Sequence, residues 1–224
     1  MLSFFKKYKF FAIVMLVLSA IIMTVIAQIT TPQKSLRIYQ PAQVEAKLVD
    51  TTLHYVKKYH TIADFSLTNQ NGKNVTQADY DDKIYVADFF FTTCQTICPI
   101  MTDHMVKIQE ALQKDQQVLL LSHTVTPEID SVAQLKKYAV EKGVDDDKWN
   151  LVTGDRKQIY DLARKSYLVA KDNPYEEFDL IHTENFVLVD TKKRIRGFYD
   201  GTDSEAIDQL LEDIEILKEE TNSK

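Results

Sequence analysis

Length and charge set the first limits on what this chain can be. It has 224 residues with 33 acidic and 27 basic side chains, so its formal net charge is −6 at pH 7. This length suits one domain and an additional segment. After the first 28 residues the chain carries all 33 acidic residues but only 24 basic ones, a net charge of −9. That balance argues against a nucleic acid as the partner.

An uncharged apolar run, Phe10–Ala27, marks the additional segment at the amino terminus. As a helix its 18 residues would span about 27 Å, close to the thickness of the hydrocarbon core of a bilayer. Lys6, Lys7 and Lys9 precede the run, and lysines favour the cytoplasmic side. We therefore predict that residues 1–28 form a cytoplasmic tip and a single-pass transmembrane anchor in the cytoplasmic membrane of a bacterium, with the remainder on the outer, periplasmic side. A cleaved signal peptide is the alternative, although its apolar core is usually shorter.

Beyond the anchor the composition predicts a tether and one folded domain. Residues 29–58 begin as a polar stretch with a proline, so we predict a tether and a lead-in segment there. Residues 59–224 are predicted to form the folded domain. Its first element is a β-hairpin, because Ile62–Leu67 alternates between apolar and polar residues and Asn69–Gly72 supplies a turn.

Strands alternate with helices in the remainder of the domain. Ile84–Phe91 is an apolar run that predicts a buried parallel strand, and helical apolar spacing follows from Met101 to Leu112. The further predicted elements in chain order are a strand Gln117–Ser122, a helix from Ile129 to Lys142 that stops at Gly143, a strand Trp149–Val152, a helix from Asp155 to Lys165, the paired strands Glu184–Asp190 and Ile195–Tyr199, and a final helix from Ser204 to Lys218. This order predicts an α/β, thioredoxin-like fold, with a mixed central sheet flanked by helices and an antiparallel hairpin at one edge.

The only two cysteines, Cys94 and Cys98, lie between the first long strand and its helix. The first turn of a helix has unpaired N–H groups and a partial positive charge, which lower the pKa of a thiol and favour the thiolate. Residues four apart share one helical face, so we expect both sulfurs to point at one object. Two soft thiolates at one point suit Cu(I). A purely structural disulfide is the alternative, but a bridge that closes so short a loop stabilises little.

A third ligand from imidazole would complete a trigonal copper site, and the chain has five candidates: His54, His60, His104, His123 and His182. The first two lie in or next to the lead-in segment and are disfavoured. His104 lies about 120° from the cysteine face of the helix, so we expect it at the surface. His123 ends a predicted strand at the carboxyl edge of the sheet, where ligands collect in α/β folds. His182 lies in the loop that enters the strand Glu184–Asp190, a loop that adjoins the cysteine helix in a thioredoxin-like sheet. Position alone leaves His123 and His182 open.

Three further residues near the cysteines have two interpretations each. Asp88 interrupts an apolar strand, either as a buried carboxylate that tunes the thiols or as the structural partner of a lysine from a neighbouring element. Met101 and Met105 are four residues apart and offer thioether sulfurs as ligands. We expect both methionines to pack in the core instead, because methionine is a common core residue.

Three segments resemble the Sco/SenC family of copper-binding assembly factors of cytochrome c oxidase. They are Asp88–Thr102, which contains both cysteines, Pro127–Asp130 and His182–Asp190, within a similarity that extends from Tyr59 to Leu217. The resemblance implies a thioredoxin fold, copper bound by Cys94, Cys98 and His182, and delivery of that copper to the binuclear centre of the oxidase, directly or by reduction of its cysteines. The chain departs from the commonest family pattern at Gln95 and at His123. The second departure leaves an auxiliary metal contact open.

Two functions of different class fit these residues. The first is a membrane-anchored copper chaperone that assists assembly of the oxidase. Its expected partner is the copper-binding subunit of cytochrome c oxidase, with another copper chaperone or a thiol reductant as further candidates. The alternative is a thiol–disulfide reductase, in which the cysteine with the lower pKa attacks and the other resolves. Zinc is a further option for two cysteines, a histidine and a water. Both functions need Cys94 and Cys98, so the sequence does not separate them.

Overall fold

The computed structural model describes residues 2–30, 34–45, 50, 52–170 and 183–222. The chain divides into two units, residues 1–34 and residues 35–224. The first unit contains helix α1, Leu2–Thr30. Its segment Tyr8–Ile26 has 19 residues with a mean hydropathy of 2.5, which makes it long and apolar enough to cross a membrane. The predicted apolar helix is therefore present.

The second unit is built on one seven-stranded sheet. Its strands are β1 Ser66–Asn69, β2 Asn74–Thr76, β3 Ile84–Phe90, β4 Val118–Thr124, β5 Trp149–Thr153, β6 Asn185–Val189 and β7 Ile195–Asp200, and its helices are α2 Ile97–Ala111, α3 Val132–Lys142, α4 Arg156–Asp161 and α5 Ser204–Asn222. The order across the sheet is β2-β1-β5-β4-β3-β6-β7. The central strands β3, β4 and β5 are parallel, and all other pairs are antiparallel. This confirms the predicted mixed sheet with an antiparallel hairpin at one edge.

Apolar side chains cover both faces of the sheet, and every residue of β3 is buried. Successive strand residues point to opposite faces. Val86 and Phe90 belong to a core formed with α2, α3 and α5, and Cys98 is part of it. We call this side the cysteine face. Ala87 and Phe89 belong to the core on the other side, which α4 helps to cover. Burial on both faces explains why β3 is apolar at every position except Asp88 and does not alternate between apolar and polar residues.

Polar residues and glycine set the ends of α3. The predicted start was Ile129, but the helix begins at Val132. The Ser131 hydroxyl accepts a hydrogen bond from the Gln134 N–H over 3.3 Å and so caps the first turn. At the other end Gly143 adopts the left-handed conformation with a φ of 71°, as the predicted stop requires.

Two other elements differ from the prediction in extent. The predicted hairpin is present, but β1 begins at Ser66 rather than at Ile62. Ile62 and Phe65 are buried but do not belong to a strand. The alternation of apolar and polar residues there indicates burial and not strand pairing. The predicted helix from Asp155 to Lys165 is divided, because α4 passes into a π-helix at Leu162–Ser166.

The segment that begins the second unit is fastened to the end of the sheet where the parallel strands start, which we call the amino end. The Tyr39 N–H donates to the Ile195 carbonyl of β7 over 2.9 Å. The Arg196 guanidinium donates to the Leu36 carbonyl over 2.7 Å and forms an ion pair with Glu220 near the end of α5. The chain therefore enters the domain at the end opposite to that where β3 leads into the cysteines.

Candidate metal centre

Cys94 and Cys98 lie at the carboxyl end of β3, in the loop and the first turn that lead into α2. Only Cys98 is helical, because α2 begins at Ile97, so the expected shared helical face was wrong. The loop nevertheless brings the two residues together. The Cys98 N–H donates to the Cys94 Sγ over 3.4 Å, and the Thr96 hydroxyl lies 3.6 Å from the same sulfur. An unpaired N–H of the first helical turn thus reaches a thiol, as the sequence predicted.

The two thiols have different pKa values because their surroundings differ. Burial would raise the pKa of the Cys94 thiol, but hydrogen bonds from the Cys98 thiol and from the backbone N–H groups of Thr96 and Cys98 outweigh it and lower the pKa to about 7. Cys98 is only 3% exposed. Its burial, and then its hydrogen bond to Cys94, raise its pKa to about 12. At neutral pH Cys94 is partly ionised and Cys98 keeps its proton.

The predicted third ligand, His182, lies outside the described residues. Among the residues that are described, no three His, Cys, Asp or Glu side chains are grouped to hold a metal ion. Strand β6 begins three residues later at Asn185 and runs antiparallel to β3, with Val187 opposite Ala87. The first residue of β6 therefore lies towards the end of the sheet where β3 leads into the cysteines.

His123 is not where the sequence placed it. Strand β4 continues to Thr124, so His123 lies inside the strand and is fully buried. Its ring stacks on Phe89 with centroids 4.8 Å apart and meets Tyr167 edge-on. Burial lowers the pKa of this imidazole to about 4. Because Phe89 and Tyr167 belong to the core opposite the cysteine face, the auxiliary metal contact left open for His123 is wrong.

The remaining histidines have other partners. His104 was expected at the surface, but it is half-buried and its Nδ1 lies 2.7 Å from the Gly201 carbonyl oxygen. The Nε2 of His60 lies 2.8 Å from the Ser166 carbonyl oxygen. His54 is half-buried near the start of the second unit. None of these three belongs to a group of metal-binding side chains within the described chain.

Asp88 is a buried carboxyl group on the cysteine face. It is 3% exposed, and its Oδ1 has no hydrogen-bond partner among the described residues. No lysine or arginine in the described part of the chain forms an ion pair with it, so the structural pairing with a lysine is not found there. Burial raises the pKa of Asp88 to about 7, against a smaller lowering by the Ser122 hydroxyl. Met101 and Met105 are fully buried in the core, as expected.

Sequence reasoning missed the polar residues that hold the loop before Cys94. Asp130 is fully buried in the turn between β4 and α3. Its carboxylate accepts hydrogen bonds from the hydroxyls of Thr92, Thr124 and Thr126, and also from the Thr92 N–H. We call these four residues the threonine cradle. Threonines at the ends of β3 and β4, followed by an aspartate in a turn, were a readable signal, but spacing alone does not pair two loops.

A comparison with known proteins identifies the family of this chain. The SCO1/SenC family model matches residues 54–219, most of the chain. This chain belongs to the SCO1/SenC family. Among SCO1/SenC relatives, the SCO1 protein homolog of Bacillus subtilis (strain 168) is 34% identical over 157 residues, which cover 69% of this chain and 81% of that protein.

Solved SCO1/SenC structures share the fold. BsSco, a member of the Sco family of cytochrome c oxidase assembly proteins in which a disulfide switch was identified, is 32% identical with a TM-score of 0.61, and the match covers 70% of this chain and 93% of BsSco. ScoI of Bradyrhizobium japonicum with copper bound is 28% identical with a TM-score of 0.55, and the match covers 69% of this chain and 99% of ScoI. The family and the fold predicted from the sequence are both confirmed.

Proposed function

We propose that this SCO1/SenC protein binds copper and assists assembly of the copper centre of cytochrome c oxidase, with the copper-binding subunit of the oxidase as its partner. One observation carries the proposal: the Cys94 Sγ accepts a hydrogen bond from the N–H of Cys98, so two thiols meet at the start of a helix. Two sulfur donors at one point fit Cu(I) better than they fit a hard cation. The copper-bound ScoI relative supports the same ion.

The two cysteines would bind the ion in different ways. Cys94, with a pKa near 7, is already partly a thiolate at neutral pH and is the accessible ligand. Cys98 keeps its proton until it binds, because its pKa is about 12, so loading releases protons and weakens as the pH falls. We assign the third position to the neutral imidazole of His182. Three ligands leave the ion open to a thiolate of the acceptor, which joins before a ligand departs.

We further propose that α1 stays attached as a single-pass anchor. Its span Tyr8–Ile26 has the length and hydropathy that a bilayer requires. Lys6, Lys7 and Lys9 would remain in the cytoplasm, which puts residues 35–224 on the outer side of a bacterial membrane. Another copper chaperone, or a thiol reductant that keeps both cysteines reduced, would act on the domain there.

A thiol–disulfide reductase is the second candidate, and the difference between the two thiols favours it. A pKa near 7 makes Cys94 the attacking thiol, and the protonated, buried Cys98 would then resolve the mixed disulfide. In that reaction the Cys94 sulfur attacks a disulfide of the oxidase subunit and releases one thiolate. The Cys98 sulfur then attacks Cys94, which releases the second thiolate and leaves an oxidised Cys94–Cys98 pair. This function has no need of His182.

Anaerobic titration of the full-length protein in detergent with Cu(I), against a chromophoric Cu(I) chelator, tests the proposal. We expect one Cu(I) per chain, loss of tight binding in Cys94→Ser and Cys98→Ser, and weaker binding in His182→Ala. His104→Ala is the matched control, because His104 lies on α2 but bonds to Gly201, and it should bind like wild type.

The outcomes separate the candidates. Equal Cu(I) affinity in wild type and both serine variants would overturn copper binding by the cysteines. If His182→Ala binds copper as wild type does but both serine variants fail, the histidine assignment is wrong and the cysteine pair stands. Disulfide exchange that is fast in wild type and in His182→Ala, without tight copper binding in either protein, would establish the reductase instead.

A further inference from the structure

Asp130 is a fully buried carboxylate in the turn between β4 and α3. Its four hydrogen bonds come from neutral groups: the Thr92 N–H over 3.2 Å, the Thr92 hydroxyl, the Thr126 hydroxyl over 3.0 Å and the Thr124 hydroxyl. No lysine, arginine or histidine among the described residues forms an ion pair with it. A buried carboxylate costs free energy unless its oxygens are well satisfied, so these neutral donors hold it in place.

Thr92 connects the threonine cradle to the loop that carries Cys94. Thr92 follows β3 by two residues and precedes Cys94 by two, so two of the four hydrogen bonds to Asp130 end on the loop that carries Cys94. The Gln134 side chain on α3 donates to the Thr92 hydroxyl over 3.0 Å. That contact occupies the hydroxyl oxygen as an acceptor and leaves its O–H to point at Asp130.

A tight turn connects Thr92 to the Cys94 sulfur. The Cys94 N–H donates to the Phe91 carbonyl over 3.3 Å, which closes a turn around Thr92. This turn delivers the Cys94 Sγ to the N–H of Cys98, 3.4 Å away. The cradle therefore fixes the backbone of the turn on one side, and the start of α2 receives the sulfur on the other. The loop after β4, through Asp130, sets where Cys94 lies.

We propose that Asp130 is a positioning residue for Cys94, acting through Thr92 to hold the thiol against the first turn of α2. It touches neither cysteine in the hydrogen-bond network, so its effect passes through the turn. The inference rests on the proposed function in that Cys94 is the accessible copper ligand. Residues that orient metal ligands typically change metal affinity by roughly 10- to 100-fold when they are replaced.

The test uses the copper-free and the Cu(I)-loaded full-length protein in detergent. Asp130→Asn keeps the shape of the side chain but adds an N–H₂ donor among hydroxyl donors. Thr92→Val removes the hydroxyl, and Thr92→Ser retains it. Asp190→Asn is the matched control, because Asp190 is an equally buried aspartate that instead pairs with Arg194 and Arg196 at the amino end.

Two readouts are measured: the rate at which iodoacetamide alkylates Cys94 at pH 7, and the Cu(I) affinity by chelator competition. In Asp130→Asn and Thr92→Val we expect alkylation to slow about fivefold, because the Cys94 Sγ is then no longer held against the N–H of Cys98 at the start of α2. Cu(I) affinity should fall by roughly 10-fold or more. Thr92→Ser should restore both readouts to within about twofold of wild type, and Asp190→Asn should change neither, although it lowers stability.

The alkylation rate makes the inference independent of copper. If wild type fails to bind Cu(I) tightly, the proposed function is lost but the rates still decide the role of Asp130. If Asp130→Asn does not fold, the comparison of Thr92→Val with Thr92→Ser decides it. The inference is overturned if Thr92→Val reacts and binds as wild type does, or if Asp190→Asn slows alkylation as much as Asp130→Asn.

Discussion

Buried ionisable groups at the two ends of the sheet have different kinds of partner. At the amino end the buried Asp190 and Arg196 pair with each other, in a charged network that also includes the partly exposed Arg194 and Glu220. Towards the carboxyl end, near the cysteines, the buried groups contact only neutral groups within the described chain, and they are Asp88, His123 and Asp130. A charged network holds the chain at the amino end, where it enters the domain. Neutral contacts surround the buried groups of the strands that lead to Cys94 and Cys98.

This contrast has a physical consequence for pH dependence. A buried group with neutral partners changes its charge when its shifted pKa is crossed, and its burial makes the folded state sensitive to that pH. We therefore expect the stability of the strands beneath the cysteines to respond to pH through Asp88 and His123.

The largest effect should come from breaking the charged network. Arg196 is 4% exposed and donates to Asp190, Glu220 and the Leu36 carbonyl. Arg196→Met removes the buried partner that Asp190 and the half-buried Glu220 share, so we expect urea unfolding to show a loss of about 3–5 kcal/mol in the free energy of unfolding. Arg194→Met is the matched control. Its side chain is partly exposed and pairs with Asp190 alone, so the loss should be about 1 kcal/mol.

If Arg194→Met cost as much as Arg196→Met, the charged network would not be centred on the buried arginine. Cu(I) affinity should be unchanged in both variants at temperatures where they remain folded. A loss of Cu(I) affinity in folded Arg196→Met would show that the two ends of the sheet are coupled. We expect them to be independent.

The next effect is a pH dependence in which two groups oppose each other. The pKa of His123 is lowered to about 4, so between pH 6.5 and 4 only the unfolded chain takes up a proton at this histidine. The free energy of unfolding therefore falls by on the order of 3 kcal/mol as the pH falls through this range. The pKa of Asp88 is raised to about 7, so between pH 7 and 4 only the folded chain takes up its proton, and stability rises by on the order of 4 kcal/mol as pH falls. The two contributions largely cancel in the wild type.

Single variants should expose each contribution. Asp88→Asn leaves His123 alone, so its stability should fall more steeply than that of wild type between pH 6.5 and 4. His123→Phe leaves Asp88 alone, so its stability should rise relative to wild type over the same window. Urea unfolding of the copper-free unit of residues 35–224 at several pH values measures both. Parallel curves for the three proteins would show that neither group is shifted by burial.

The smallest predicted effect distinguishes the two thiols. Alkylation of Cys94 should rise with pH around a midpoint near 7, while Cys98 stays unreactive, because its pKa is about 12 and it is buried. The Cys98 thiol donates a hydrogen bond to Cys94, so Cys98→Ala should raise the midpoint by about one pH unit, or about 1.4 kcal/mol. Cys98→Ser keeps a donor and should shift it less. An unchanged midpoint in Cys98→Ala would show that the backbone donors suffice.

Apolar periodicity predicted most of the fold because burial is what the strands and helices have in common. The run Ile84–Phe91 was identified correctly because β3 is buried on both faces. The same signal placed a strand at Ile62, where the chain is buried without strand pairing. Periodicity reports which side chains leave water, and it does not report hydrogen-bond partners.

The candidate site was predictable only in part for the same reason. Two cysteines at a strand-to-helix turn predicted an accessible thiol with a lowered pKa, and Cys94 has one. The sequence placed His123 at a strand end and so near the site, but aromatic packing on the opposite face holds it inside β4. Asp130 was visible only as part of a family segment. Its contact with Thr92 joins two loops, and loop pairing is decided by the folded sheet.

X-ray absorption at the copper edge of the Cu(I)-loaded, full-length protein tests the central claim most directly, because it reports the atoms bound to the ion. The proposed function predicts two sulfur neighbours from Cys94 and Cys98 and one nitrogen neighbour from His182. Cys94→Ser should show one sulfur, and His182→Ala should keep two. A spectrum that shows only nitrogen and oxygen neighbours in the wild type would contradict copper binding by the cysteine pair.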